Sequence, residues 1–565
     1  MSTDDTSAVR RVSVATLRDW LADGGELALL DAREQGVYHR SHLFHAASVP
    51  LSQLELVLED LVPRRDTRVV WCDDGAPTGG ARGAGGPSLA ELAAVRAAEW
   101  GWTACSVLDG GTRAWAEAGG ELYSGVNVPS KAFGELVEHR FGTPHVSAAD
   151  LKARLDAGEN VVVLDSRPMD EYRRMSIPGA TDCPGAELVH RVKEVVSDPS
   201  TLVVVNCAGR TRSIIGAQSL INAGLENHVV ALENGTMGWS LAGYEPDHGH
   251  ENHAPDPGPA ANRWARAAAA AVGHRFRVAG ITAAELGAWQ ADAARTTYVF
   301  DVRTETEFEA GHLPGSVHAA GGQLVQATDE YAATRNARIV LVDDDGVRAT
   351  MTASWLRQLG WAEAVVLGGL PAEGDDPGPA RVAAAAAVLG HTLVKGARAR
   401  SELARVHTAT VRPPELARWL AEDSEGLVVI DVGTSVKYRN RGHIPGAWWA
   451  VRSRMDEARA VIGPAERVVL TSTDGALARL AVADAQVQWP DAQVYALAAG
   501  NKGWRHADME MEPGFTRPTT EPDDVWYKPY DHPDAVRQHM EDYLTWEVAL
   551  VEQLERDPTV TFPSF

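Results

Sequence analysis

Cysteine is scarce in this chain. The 565 residues hold four, Cys72, Cys105, Cys183 and Cys207, too few to staple a protein of this length, so free thiols in a reducing, cytoplasmic setting are expected. Positive charge is short as well: 53 Lys and Arg stand against 77 Asp and Glu, a net −24. A surface of that sign repels nucleic acid and anionic membranes, and neither is expected as a partner. No apolar run approaches the ~20 residues that cross a bilayer; the longest Ala-rich stretch, Ala383–Leu389, is far shorter. The acidic start, Met-Ser-Thr-Asp-Asp, lacks a basic segment followed by an apolar one and reads as no secretory signal. At 45% hydrophobic and 23% charged residues the composition is globular, and the length fits about four domains.

What is present is repetition. An apolar run followed by Asp-x-Arg occurs at Asp31–Arg33, Asp165–Arg167 and Asp301–Arg303, and as the remnant Asp431–Gly433, at intervals of 134, 136 and 130 residues. Eleven or twelve residues after each Asp comes a turn, beginning at His42, Ser176, His312 and His443, and three of the four contain Pro-Gly. A second apolar run follows each turn, at Arg68–Trp71, Leu202–Val205, Ile339–Val342 and Val468–Leu470. Each copy closes on a third short strand and glycines, followed in three copies by Trp115, Trp239 or Trp504. Strands alternating with helical stretches such as Ala148–Ala157 imply parallel βα units, and continuous apolar strands imply a sheet covered on both faces.

This series of motifs resembles the rhodanese homology domain. The resemblance spans about residues 10–515 and implies an α/β protein of four tandem rhodanese-like domains, each a small parallel sheet with helices on both faces. The expected divisions are 1–125, 126–250, 251–375 and 376–515, with a C-terminal extension over 516–565. Polar or Pro/Gly-rich stretches around Ser124–Pro129, Glu245–Pro259 and Pro371–Pro379 mark the joints. In the extension, Met540, Leu544 and Val548 are spaced for one helical face within His532–Arg556.

Only the second copy carries the family's cysteine loop, Cys207-Ala208-Gly209-Arg210-Thr211-Arg212-Ser213. The cysteine ends a buried strand, Ser213 suits the N-cap of the next helix, and loop amides and the helix N-terminus can converge on the sulfur. Arg210 and Arg212 add positive charge, which favours thiolate and attracts an anionic donor. The resemblance implies sulfane-sulfur transfer from thiosulfate or a persulfide donor, through a Cys207 persulfide, to cyanide, glutathione or a protein thiol. It implies no metal and no organic cofactor. The related phosphatases and arsenate reductases use Cys-x5-Arg; here the sixth residue after Cys207 is Ser213 and the nearest arginine stands at five, which favours sulfur over a tetrahedral ester. A non-enzymatic alternative is a partner-binding scaffold or redox sensor.

The other copies lack this chemistry and are expected to be inactive. Cys72 precedes Asp73 and Asp74, and it occupies either the catalytic slot or the last strand position before it, depending on a one-residue shift. The third copy has Asp343 to Asp345, the fourth Ser472, Thr473 and Asp474. Because Asp165 and Arg167 recur in these copies, they read as structural support rather than substrate contacts. Cys183 reads as a small buried residue, with a resolving thiol as the alternative. The histidines His248, His250 and His253 lie in a polar linker without cysteine partners and read as surface residues, not as a metal site.

Overall fold

The computed structural model describes residues 9–76, 86–371, 380–398, 401–422 and 424–565, without the side chains of residues 401 and 402. The glycine-rich stretch from Gly79 and most of the linker Pro371–Pro379 therefore lie outside the described residues, as does the acidic start.

Four parallel sheets follow one another along the chain. In the second, the strands run, from edge to edge, His145–Val146, Val229–Leu232, Leu202–Asn206, Val161–Asp165 and Thr181–Asp182, all parallel. The first, third and fourth sheets repeat this order. Buried valines and leucines on both faces of the central strands explain why helices cover the sheet on both sides.

The units are not independent. Thr334–Arg335 of the third pairs antiparallel with Leu27 and Ala28 at the edge of the first sheet. Glu26 accepts from the backbone amide and hydroxyl of Thr296. The second and third units face each other through a buried cluster in which Arg348 bridges Glu187 and Glu307. Between first and fourth units, Arg452 grips both oxygens of Glu55.

The C-terminal extension forms one long helix, Val536–Arg556. Met540 and Leu544 are buried as the spacing predicts, but Val548 is half exposed and the buried position next to it belongs to Glu547. The polar residue escapes a reading that assigns the buried stripe to apolar side chains alone. Among the described residues, no helix is long and apolar enough to cross a membrane.

Candidate active site

Cys207 leaves the C-terminal end of the strand Leu202–Asn206, and four residues later the helix Thr211–Asn222 begins. The loop between them is clamped from one side. The amide of Thr236 donates to the Cys207 carbonyl (2.8 Å) and that of Met237 to the Ala208 carbonyl (3.0 Å). Gly235 has φ +55°, and a Cβ there would lie 2.4 Å from the Cys207 carbonyl oxygen, so only glycine fits this crossing. Asn206, the last strand residue, donates to Asp165 (2.8 Å) and Thr236 (3.1 Å). The Cys207 and Ala208 carbonyls are thereby both engaged by the start of the helix Gly235–Leu241.

Strand register settles which residues correspond to Cys207. Asp165 pairs with Asn206, Asp31 with Cys72, Asp301 with Val342 and Asp431 with Thr471. The slots one residue on are therefore Cys207, Asp73, Asp343 and Ser472. Cys72 is the last strand residue, not the slot; it is fully buried, and burial, then Asp31, pushes its thiol well up.

The slots without a thiol are filled by oxygen. Asp343 accepts from the amides of Gly346 (2.7 Å) and Ala349 (3.0 Å). Ser472 accepts from those of Gly475 (3.1 Å) and Ala478 (3.4 Å). Asp345 and Asp474, two residues on, take one more helix-start amide each. In the second unit the slot holds sulfur and the position two residues on is Gly209, so no side-chain oxygen takes up the corresponding amides of Arg210, Thr211 and Ser213. Helix-start amides without acceptors bind anions.

Ser213 corrects one expectation. The helix starts three residues earlier, with Arg210 at the N-cap and no side-chain cap. The Ser213 hydroxyl, buried in the first turn, instead lies 3.1 Å from Cys207 Sγ and donates to the Arg210 carbonyl at 3.0 Å. With a single proton, it serves the sulfur only by leaving the carbonyl.

The arginines correct another. Arg210 binds both oxygens of Glu135 at 2.8 Å and also Glu138. Arg212 is held by Glu171 (2.8 Å) and Gln323 of the third unit (2.9 Å). The loop is thus charge-compensated and not an open basic patch. Arg212 also recurs in the third unit: Arg348 stands at the same position, with Glu307 in the place of Glu171. This pairing belongs to the fold and to the contact between units. Arg173 and Arg174 are likewise engaged, by Glu251 and Asp531.

A roof that sequence reading missed covers the loop. A side chain at Gly209 would meet Met237, Glu547 Oε2 at 3.1 Å and the Tyr543 ring at 3.3 Å. Lys131, from the helix Val128–Phe141, donates to the Tyr543 hydroxyl (2.5 Å) and lies 3.7 Å from Glu547 Oε1. Thr211 and Tyr543 both donate to that same oxygen, while Oε2 has no partner among the described residues. Burial pushes the Lys131 ammonium down, against the pull of Glu547 and of Cys207. The available signal was Glu547 itself, a carboxylate on the apolar stripe of a helix.

Asp165 and Arg167 form a fully buried pair joined by two bonds of 2.8 and 2.7 Å, and Arg167 also donates to the Met175 carbonyl. The first and third units repeat the arrangement, ending on the Ser41 and Gly311 carbonyls. It ties the strand end to the turn after the next helix. Cys183 lies in the hydrophobic core beside Leu164 and Leu188, and burial pushes its thiol well up. The linker histidines have separate partners: His248 the Arg174 carbonyl, His253 Asp182, and His250 Asp247.

Sheet order, motif positions and a cysteine just past a strand end together define a tandem rhodanese-like protein with a thiol in one of its four strand-end slots. The chain belongs to the rhodanese-like domain family, which matches residues 13–118, 147–242 and 282–372. The fourth unit lies outside these matches but repeats the sheet order. The chain is similar along its length to the crystal structure of a thiosulfate sulfurtransferase from Pseudomonas aeruginosa. That likeness is 44% identity with a TM-score of 0.88, covering 98% of this chain and 99% of the other. Over 110 residues it is 34% identical to an HTH-type transcriptional regulator of Mycobacterium tuberculosis, covering 19% of this chain and 47%, about half, of the regulator's length. A putative sulfur carrier protein of Bacillus subtilis is 27% identical over 139 residues, covering 22% of this chain and 71% of the carrier.

Proposed function

We propose that this protein is a sulfurtransferase in which Cys207 carries the sulfur. The observation that bears most weight is the slot comparison: among four equivalent strand ends, one holds a thiol and leaves its loop amides without side-chain acceptors. In the first step the Cys207 thiolate attacks the outer sulfur of thiosulfate. The donor's S–S bond breaks, sulfite leaves with the electron pair, and Cys207 becomes a persulfide. Amides of the 207–213 loop stabilise its negative terminal sulfur as they would an oxyanion. In the second step cyanide or a thiolate attacks that sulfur, and the Cys207 thiolate is regenerated. The enzyme's own sulfur is the carrier, so neither step calls on a metal or an organic cofactor.

Asp165 and Arg167 support the loop from below, while Lys131, from the roof, offsets the charge of an anionic donor. Met237, Met540 and Leu544 pack over the loop, and Cys207 is 2% exposed. Donor entry therefore requires the roof to move. Small acceptors such as cyanide or glutathione fit this enclosure better than a protein thiol. A cytoplasmic setting, with the thiols free, and the division at 125, 250, 375 and 515 belong to the same reading.

The test is sulfur transfer from thiosulfate to cyanide, run beside hydrolysis of p-nitrophenyl phosphate. Transfer that disappears in Cys207→Ser supports the reading. Hydrolysis without transfer overturns it.

A further inference from the structure

A cavity of about 300 Å³ lies away from Cys207, where the first unit, the third unit and the C-terminal segment meet. Its wall includes His45, Ser130, Asp329, Arg335 and Phe562. Three observations set it apart.

The first is charge. Several buried arginines face carboxylates, as Arg33 faces Asp31, Arg303 faces Asp301 and Arg452 faces Glu55. Arg335 does not. Its guanidinium donates to His45 Nδ1 at 2.6 Å, and among the described residues no carboxylate pairs with it. His45 in turn bonds the Thr559 carbonyl through Nε2 (3.0 Å), and burial pushes the ring well below the usual histidine range, so it stays neutral and offsets nothing. Burial likewise pushes Arg335 down to about 10. A partly buried cation without a counter-charge is costly to keep. Asp329, the carboxylate on the wall, is occupied by Asn127 Nδ2 (3.1 Å).

The second is an idle hydroxyl. Ser130 is fully buried, lines the same cavity, and its Oγ has no partner among the described residues.

The third is in the sequence. In the other units the turn reads Pro-Gly, with Gly179, Gly315 and Gly446 at φ +75°, +81° and +76°. The first unit has Phe44 and His45 at these two positions, and His45 is not left-handed. The repeat therefore departs from its own pattern at the residues that build this wall.

We propose that the cavity is a second binding site, taking a small molecule through an anionic oxygen group held by Arg335 and Ser130. Carboxylates and sulfur or phosphorus oxyanions share that chemistry: each accepts two parallel N–H bonds from a guanidinium and one more from a hydroxyl. The site is independent of the Cys207 reading.

The experiment is calorimetric titration of the full-length Cys207→Ser protein with acetate, benzoate, sulfate and inorganic phosphate, at pH 8 and constant ionic strength. The four probes distinguish a carboxylate ligand from an inorganic oxyanion. The expected result is one-site saturation by at least one probe, weakened at least about tenfold by Arg335→Gln. Ser130→Ala, which leaves the charge in place, should weaken the same binding about fivefold and keeps the test open if the arginine variant does not fold. No saturable binding by any probe, or binding indifferent to these changes, overturns the proposal. Anion binding at the Cys207 loop would show the latter pattern.

Discussion

The loop after Asn206 and the loop after Val342 start from the same strand register and reach their helices in the same number of residues. One ends a strand with sulfur, the other with a carboxylate that bonds the loop's own amides. The third unit caps itself, and so does the fourth with Ser472. The thiol-bearing loop and the self-capped turn are thus one backbone with different occupants. On the proposed reading, loss of activity needs no collapse of the fold, only an oxygen in the slot. The same comparison removes Asp165, Arg167 and Arg212 from the features peculiar to the second unit and leaves Cys207, since the first unit also has a glycine, Gly75, two residues after its slot.

Changes at the slot should have the largest effects. Cys207→Ser is expected to lower sulfur transfer by at least ~10³-fold, since the nucleophile is lost, as steady-state thiosulfate to cyanide assays would record. Cys207→Asp copies the third unit; it should be equally inactive but more stable than Cys207→Ala by ~1 kcal/mol, as an added cap of the helix start. Urea unfolding of the two variants checks this, and equal midpoints would break the comparison.

Lys131→Met should reduce kcat/KM for thiosulfate about tenfold and flatten its salt dependence, with a smaller effect on cyanide release of the sulfur. An unchanged salt slope would return Lys131 to a packing role. In the opposite direction, Asp343→Ala should leave transfer intact and cost ~1–2 kcal/mol, the worth of the cap it removes, read in the same urea titrations.

The fourth unit allows a pH test. Asp431 has Gly433 where the others have arginine; it accepts from Asn501 and the Gly433 amide, and burial pushes it up to about 6. A carboxyl held above its unfolded value favours folding when protonated. Its contribution is complete below about pH 4 and is lost as pH rises through 6, by at most ~3 kcal/mol. Melting between pH 4 and 7 should show a smaller loss in Asp431→Asn than in the wild type, since Asp329, pushed up to about 6, and Glu34, pushed up to about 7, contribute in the same direction in both.

Much of this was legible in the sequence. Asp-x-Arg, the Pro-Gly turns and the Gly-x-x-x-Trp series carry the fold because each does local work: a buried ion pair, a left-handed turn, a glycine under a crossing loop. Cys207 stood out as the thiol in the conforming loop. The partners of Arg210 and Arg212 did not, because Glu135 and Gln323 come from distant segments. Ser213 was misplaced by a three-residue shift in the helix start, and the roof over Gly209 depends on a tail more than 300 residues away.

The most direct measurement is peptide mass spectrometry of the thiosulfate-treated protein after rapid trapping of free thiols. A mass gain of about 32 Da, one sulfur atom, should fall on the peptide containing Cys207 and on none containing Cys72, Cys105 or Cys183. Sulfur on another cysteine, or transfer activity with Cys207 unmodified, would contradict the account.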